Sequence, residues 1–271
     1  MSENNIRERE RIQAAKKAAI RRKKRRRRRR LTAFFVFLII FVMTLTILSL
    51  TVFFKIDGIA VENNTIYSGG EIISTSGIII GDNLFTLNSA KIEKNITTTM
   101  PFIKDVKLKR KLPSKLSLVV TETAEEVCYY KDGIYYSGDK EGKILNEYTE
   151  MPTNLILIHI SGDIHLKVGE YIEYTTVEEK DIINKQFQLS EQYGYTLNMI
   201  DVKDVYNSII QIDNRFIVEF GSYNNIDLKA AHLNAMLGQM EAKKSGVIDL
   251  KAWTPEKAEA FFTERSIQSI K

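Results

Sequence analysis

Polarity along this chain changes period more than once. From Leu31 to Phe54 there are twenty-four residues without a charge, a proline or a glycine. At about 1.5 Å of helical rise per residue, such a run is long enough to cross a hydrocarbon layer of roughly 30 Å. In that medium every backbone amide must be satisfied inside its own segment, so the run predicts one helix and one membrane span. It is too long for the apolar part of a cleaved signal peptide, and no small-residue cleavage pattern follows it.

Behind Phe54 the periods are those of folded α/β structure. FKIDGIAVEN reads as a short strand with Ile59 and Val61 on one face. Ser68 and Glu71 have capping-box spacing and open a short helix through Ile72 and Ile73, which Gly77 ends. The turn-rich GIIIGDNLFTLN should bring Ile78, Ile80, Leu84, Phe85 and Leu87 toward a core. Asn88 caps a second helix, with Ile92 and Ile96 one turn apart. After Pro101 the period becomes two: Ile103, Val106 and Leu108 alternate with lysines, then Leu116, Leu118 and Val120 follow beyond the turn KRKLPSK. The order strand, helix, helix, strand, strand makes a compact module over residues 55–123.

A second, antiparallel β-rich domain with two helices is expected over residues 124–264, followed by a tail at 265–271. Two tyrosine-rich strands flank the tight turn Asp132-Gly133. Strands follow at 143–145 and 155–160, a helix at 178–193, then the strands TLNMIDV, NSIIQID and RFIVEF, with a turn at Asp213-Asn214. Asp227 opens another helix, whose buried stripe should be Leu233, Met236, Leu237 and Met240 and whose stop should be Gly246. The last strand candidates are Val247–Trp253 and Ala258–Phe262.

Charge divides the chain as its hydropathy does. Residues 1–30 hold fifteen Lys or Arg against three Glu, whereas the remainder holds 24 basic and 31 acidic side chains. Basic residues beside a span stay cytoplasmic, which puts the N-terminus inside and everything after Lys55 outside. The run Arg25, Arg26, Arg27, Arg28, Arg29 and Arg30 is then a membrane-surface element, drawn to anionic lipid by about 1 kcal/mol for each basic residue near the surface. Dense positive charge also suits nucleic acid, but no aromatic residue is interleaved for stacking, and topogenic charge accounts for the same residues.

Little here looks like catalysis. An exterior, membrane-tethered cysteine transpeptidase would need a thiolate, a histidine and an arginine, and Cys128, His159 or His165, and Arg215 supply the types. Their context does not, because Cys128 lies in an apparent strand beside Glu125 and Glu126, and carboxylates raise a thiol pKa. The acidic pairs Glu125-Glu126 and Glu178-Glu179 read as solvated charge. His232 reads as a surface position. The sequence lacks zinc spacing and phosphate-binding glycine loops. The expectation is a non-enzymatic protein with no cofactor, no metal and no small-molecule substrate.

Certain motifs, in order, resemble a known family. They are Phe54-x-Ile56-x-x-Ile59-x-Val61, Asn64-x-x-Tyr67-Ser68, Gly81-Asp82-Asn83-Leu84-Phe85, Met100-Pro101-Phe102-Ile103-Lys104-x-Val106 and Pro113-x-x-Leu116. Behind a basic tail and one span, this succession is similar to the bacterial division proteins FtsQ and DivIB. Asp139-x-x-Gly142-x-Ile144-Leu145, Pro152 and Gly246-Val-Ile-Asp249-Leu250 resemble that family's second domain. At the junction the chain has Glu122-Thr-Ala-Glu125 where the family has Glu-Arg-x-Pro.

The resemblance implies an α+β architecture: one transmembrane helix, a POTRA module of βααββ order, and a β domain. It also implies a divisome scaffold at the septum that binds the coiled-coil membrane partners FtsB (DivIC) and FtsL outside the membrane and supports septal peptidoglycan synthesis. The FtsB-type partner would add to the terminal strand, which maps to Ala258, Glu259, Ala260, Phe261 and Phe262. Two other classes fit parts of the pattern: a POTRA-bearing export component and the cysteine transpeptidase.

Overall fold

The computed structural model describes residues 28–48 and 53–267. Helix α1, Arg28–Leu48, is 21 residues long and apolar enough to cross a membrane once. Its threonines fold their hydroxyls back onto its own backbone: Thr44 Oγ1 donates to the Ile40 carbonyl and Thr46 Oγ1 to that of Val42, both at 2.8 Å. The helix therefore presents no unpaired hydroxyl at these turns. Arg28, Arg29 and Arg30, ahead of the apolar run, are already helical, in keeping with arginine being a good helix former. Of the expected span, residues 49–52 lie outside the described residues, and Phe53 and Phe54 lie within them.

Close contacts group the chain into two compact units. The first gathers the described residues up to 59 together with 79–87 and 110–117; the second holds 60–78, 88–109 and the described residues from 118 on.

A three-stranded sheet in the order β1-β3-β2 is built from β1 (Gly58–Glu62), β2 (Ile103–Lys111) and β3 (Lys115–Glu122). Helices α2 (Gly69–Ser76) and α3 (Ser89–Thr99) fall between β1 and β2 in sequence and pack on each other. Local chemistry fixes their ends. The Ser68 hydroxyl accepts from the Glu71 amide at 3.3 Å while Glu71 Oε2 accepts from the Ser68 amide at 2.8 Å. Gly77 closes α2 at φ 70, where a side chain would be strained. Asn88 Oδ1 accepts from the Lys91 amide at 3.1 Å, and Ile92 and Ile96 are both buried.

The passage after α2 differs from expectation. Ile78 and Leu84 are buried, but Ile79, Ile80 and Phe85 are exposed. Asp82 Oδ2 accepts from the Ile79 amide at 3.0 Å and Gly81 sits at φ 100, so a tight turn faces these side chains outward.

A nine-stranded sheet holds the rest, in the order β12-β11-β10-β9-β8-β7-β4-β5-β6 among the described residues. Its strands are β4 (Val127–Lys131), β5 (Ile134–Gly138), β6 (Ile144–Tyr148), β7 (Ile156–His159), β8 (Leu197–Asp201), β9 (Ser208–Ile212), β10 (Phe216–Gly221), β11 (Gly246–Asp249) and β12 (Phe261–Glu264). The tight turns at Asp132-Gly133 and Asp213-Asn214 form as expected, with all four residues at positive φ. The sheet is mixed where alternation suggested antiparallel pairing throughout: β4–β7, β7–β8 and β10–β11 are parallel. Helix α4 (Val177–Tyr193) bridges β7 to β8, and α5 (Ile226–Leu237) bridges β10 to β11. Such crossovers return the chain to the same end of the sheet and so force parallel neighbours.

Two helix details correct the pattern reading. Helix α5 ends at Leu237, where the Gly238 amide caps onto the Asn234 carbonyl; Gly246 instead opens β11. Met240 thus lies outside the helix and, with Met236 and Leu237, is only half-buried. Glu179 is fully buried, not solvated. It closes a capping box with Thr176 and accepts from both the amide (2.9 Å) and the hydroxyl (2.5 Å) of Ser161. Glu125 is likewise engaged, by the Ser137 hydroxyl at 2.6 Å and the Tyr148 hydroxyl at 2.9 Å. Sequence neighbours give no sign of these partners, which sit 12 to 23 residues away.

Candidate partner-binding edge

The expected terminal strand is displaced along the chain. The strand after Gly246 ends at Asp249, and between it and β12 the chain turns: the Ala258 amide donates to the Thr254 carbonyl at 2.7 Å and Ala258 sits at φ 48. A turning backbone cannot run as a strand, so Ala258, Glu259 and Ala260 precede β12, and Phe261 and Phe262 open it. Strand β12 pairs antiparallel with β11, Phe262 opposite Ile248 and Phe261 opposite Asp249. It stands last in the sheet order, with β11 as its one strand neighbour among the described residues.

Because adjacent strand residues face opposite ways, the two phenylalanines part. Phe262 is half-buried against the core, its ring edge-on to Phe216 with centroids 6.2 Å apart. Phe261 is 60% exposed. The strand lies unusually close to its neighbour at Gly246, where an added Cβ would sit 2.2 Å from the Thr263 carbonyl oxygen and 2.8 Å from the Phe262 ring. Only glycine admits that approach. Such an edge can accept an extended segment through its backbone groups, with Phe261 as an apolar anchor.

The opposite end of the sheet is closed by the chain itself. The Ile144 amide donates to the Glu170 carbonyl and the Gly169 amide to the Ile144 carbonyl, each at 2.9 Å. Beside them Lys143, 1% exposed, sends its ammonium to the carbonyls of Thr97 (2.9 Å) and Ile103 (2.6 Å). Asp139 steadies the turn, its Oδ1 accepting from the amides of Glu141 and Lys143 and its Oδ2 from the Thr123 hydroxyl at 3.2 Å. Burial pulls the Lys143 pKa down to about 8, with Asp139 opposing. Sequence reading missed this lysine. A lysine opening a strand after Asp139-Lys-Glu-Gly142 was its one available signal.

The residues considered for thiol chemistry are placed otherwise. Cys128 is fully buried in β4, and burial, helped by the Glu125 carboxylate, pushes its thiol up to about 12. It is protonated at neutral pH, opposite to what a nucleophile requires. His159 Nδ1 lies 3.2 Å from Asp201 Oδ2, and the His232 ring lies 5.9 Å from that of Trp253, so the latter is not a bare surface position. Arg215 stacks on Phe216 and donates to the Ala242 carbonyl. Of the arginine run, Arg28, Arg29 and Arg30 lie in α1, and Arg25, Arg26 and Arg27 lie outside the described residues. No cluster of potential metal ligands occurs among the described residues.

Residues 54–123, which contain the three-stranded sheet and its two helices, match the FtsQ-type POTRA domain. The chain carries an FtsQ-type POTRA domain and is a relative of the DivIB and FtsQ proteins. It is 28% identical over 189 residues to the cell division protein DivIB of Clostridium tetani, covering 70% of this chain and 65% of that protein, just under two thirds of its length. It is 29% identical over 203 residues to DivIB of Clostridium acetobutylicum, covering 73% of this chain and 80% of the relative. It is 29% identical over 183 residues to the cell division protein FtsQ of Corynebacterium glutamicum, covering 68% and 78%. These alignments are much longer than the POTRA domain, so the likeness extends into the region of the nine-stranded sheet.

Proposed function

We propose that this chain is a bitopic, non-catalytic scaffold of the bacterial division machinery, active at the septum. Helix α1 crosses the membrane with the arginine-rich N-terminus in the cytoplasm, a POTRA domain over 55–123 follows on the outer side, and a β domain over 124–264 completes the platform. Strand β12 takes an extended segment from a coiled-coil membrane partner of the FtsB/DivIC type, with an FtsL-type protein in the same assembly, and this docking supports septal peptidoglycan synthesis.

The observation that carries this reading is the division of labour in β12: Phe262 leans on the core and Phe261 stands exposed on the last strand of the sheet. The names of the relatives support the cellular role. The buried, protonated Cys128 speaks against a transpeptidase. The test is Phe261→Glu in the full-length protein, with affinity for the coiled-coil partner measured alongside thermal stability. Lost binding with an unchanged melting temperature supports the edge; unchanged binding removes it. A fluorescent fusion that spreads evenly over the membrane throughout the cell cycle would remove the division role itself.

A further inference from the structure

The described residues of the first compact unit that follow α1 combine three segments: 53–59, 79–87 and 110–117. Backbone bonds staple them. The Leu84 amide donates to the Phe54 carbonyl at 2.9 Å, the Ile56 amide to that of Asp82 and the Gly81 amide to that of Ile56, both at 2.8 Å. The turn after β2 joins them through Asp57, whose amide donates to the Ser114 carbonyl at 2.9 Å, and through Arg110, whose Nε donates to the Leu84 carbonyl at 2.7 Å. On this small framework five large apolar side chains are exposed: Phe53 (66%), Ile79 (69%), Ile80 (59%), Phe85 (50%) and Leu112 (61%). Apolar exposure on this scale is characteristic of an interaction surface.

Two observations say what covers it. Position along the chain is the first: four residues separate Phe53 from Leu48, the last described residue of α1. Consecutive Cα atoms are about 3.8 Å apart, so Phe53 lies within about 20 Å of Leu48 even were the chain between them fully stretched. Charge is the second. These segments carry Lys55, Arg110, Lys111 and Lys115 against two acids, Asp57 and Asp82. Both acids accept hydrogen bonds, from the Ser114 hydroxyl at 2.7 Å and the Ile79 amide at 3.0 Å. Apolar side chains mixed with cations suit the boundary of an anionic bilayer, where the stems sit among acyl chains and the cations meet headgroups.

We infer that this end of the POTRA domain is seated in the membrane surface itself, with the turn at Ile79-Ile80, Phe85 and Leu112 dipping into the lipid boundary and Arg110, Lys111 and Lys115 on anionic headgroups. The α1 helix then does more than hold the protein near the bilayer, because the module it carries is oriented by a second, lipid-bound contact. This rests on α1 being inserted, which carbonate extraction scores separately.

The test uses the full-length chain reconstituted in vesicles of phosphatidylglycerol and phosphatidylcholine. An environment-sensitive fluorophore is attached at Ile80→Cys or, as a control on an exposed residue of the second unit, at Tyr206→Cys (75% exposed). Native Cys128, fully buried, serves as the blank. Seating in lipid gives a blue-shifted Ile80 label quenched by spin-labelled lipid, and a Tyr206 label that is not quenched. Charge reversal at Arg110, Lys111 and Lys115, or Ile79→Asp with Leu112→Asp, should reduce that quenching toward the control level. A label at Ile80 as unquenched as at Tyr206 in extracted-resistant protein overturns the inference. So does protection that arises only when membrane proteins are added to the vesicles, which would assign the patch to a protein partner. Quenching that is the same in pure phosphatidylcholine and indifferent to charge reversal overturns the headgroup contact.

Discussion

The two ends of the nine-stranded sheet are finished in opposite ways. At β6 the chain covers its own edge with residues 169–171 and drives the Lys143 ammonium into two carbonyls of the preceding module. At β12 the last strand is four residues long, held by β11 on one side, and shows Phe261 to solvent. An uncovered edge invites pairing with other chains, so proteins blunt those they do not use. One end of this sheet is blunted and the other is not, which is the physical basis for the proposal that β12 takes a partner.

Breaking the closed end should have the largest effect. Lys143→Met removes the donor from the Thr97 and Ile103 carbonyls while keeping the stem's volume, and should cost about 2–4 kcal/mol in urea denaturation. The open end should be easier to disturb. Gly246→Ala places a methyl group 2.2 Å from the Thr263 carbonyl, so β12 must move; about 1–3 kcal/mol is expected. Amide exchange should then rise at Phe261–Glu264 and stay slow in β4–β6. Equal loosening at both ends would contradict the contrast between them.

The closed end should also respond to pH. Burial holds the folded-state pKa of Lys143 near 8, below its ordinary 10.5. Between those values the unfolded chain binds more protons than the folded one, so this group makes stability rise with pH from about 8 toward 10 and adds no slope well below 8. A gain of about 2 kcal/mol over that window is expected, absent in Lys143→Met. The smallest effect on stability belongs to Phe261→Glu, under about 0.5 kcal/mol for an exposed site, although partner affinity should fall tenfold or more.

The sequence displays most of the local features and few of the distant ones. The capping box at Ser68 and Glu71 is readable because both partners lie within one turn. The turns at Asp132-Gly133 and Asp213-Asn214 are readable because their backbone demands Gly, Asn or Asp. Gly246 misleads, because its reason is the passage of β12 seventeen residues later, whereas a nearer glycine ends α5. Glu179 and Lys143 look like solvent charges until Ser161, Thr97 and Ile103 arrive from elsewhere in the chain. Ile80 and Phe85 look like core for the converse reason: hydrophobicity alone does not say whether protein or lipid is the cover. At the candidate edge the pair Phe261-Phe262 is legible, while the start of the strand is set by a turn at Ala258 that no local propensity requires.

The hydroxyls of Thr44 and Thr46 carry a last consequence. Each is spent on a carbonyl one turn back along α1, so toward any helix alongside it these positions offer methyl groups and no directional donor. Recognition between helices at these two turns would rest on shape, with the hydroxyl oxygens left only as acceptors. Exchanging this stretch for an unrelated apolar helix of equal length should therefore leave the choice of partners to the parts of the protein that stand in water.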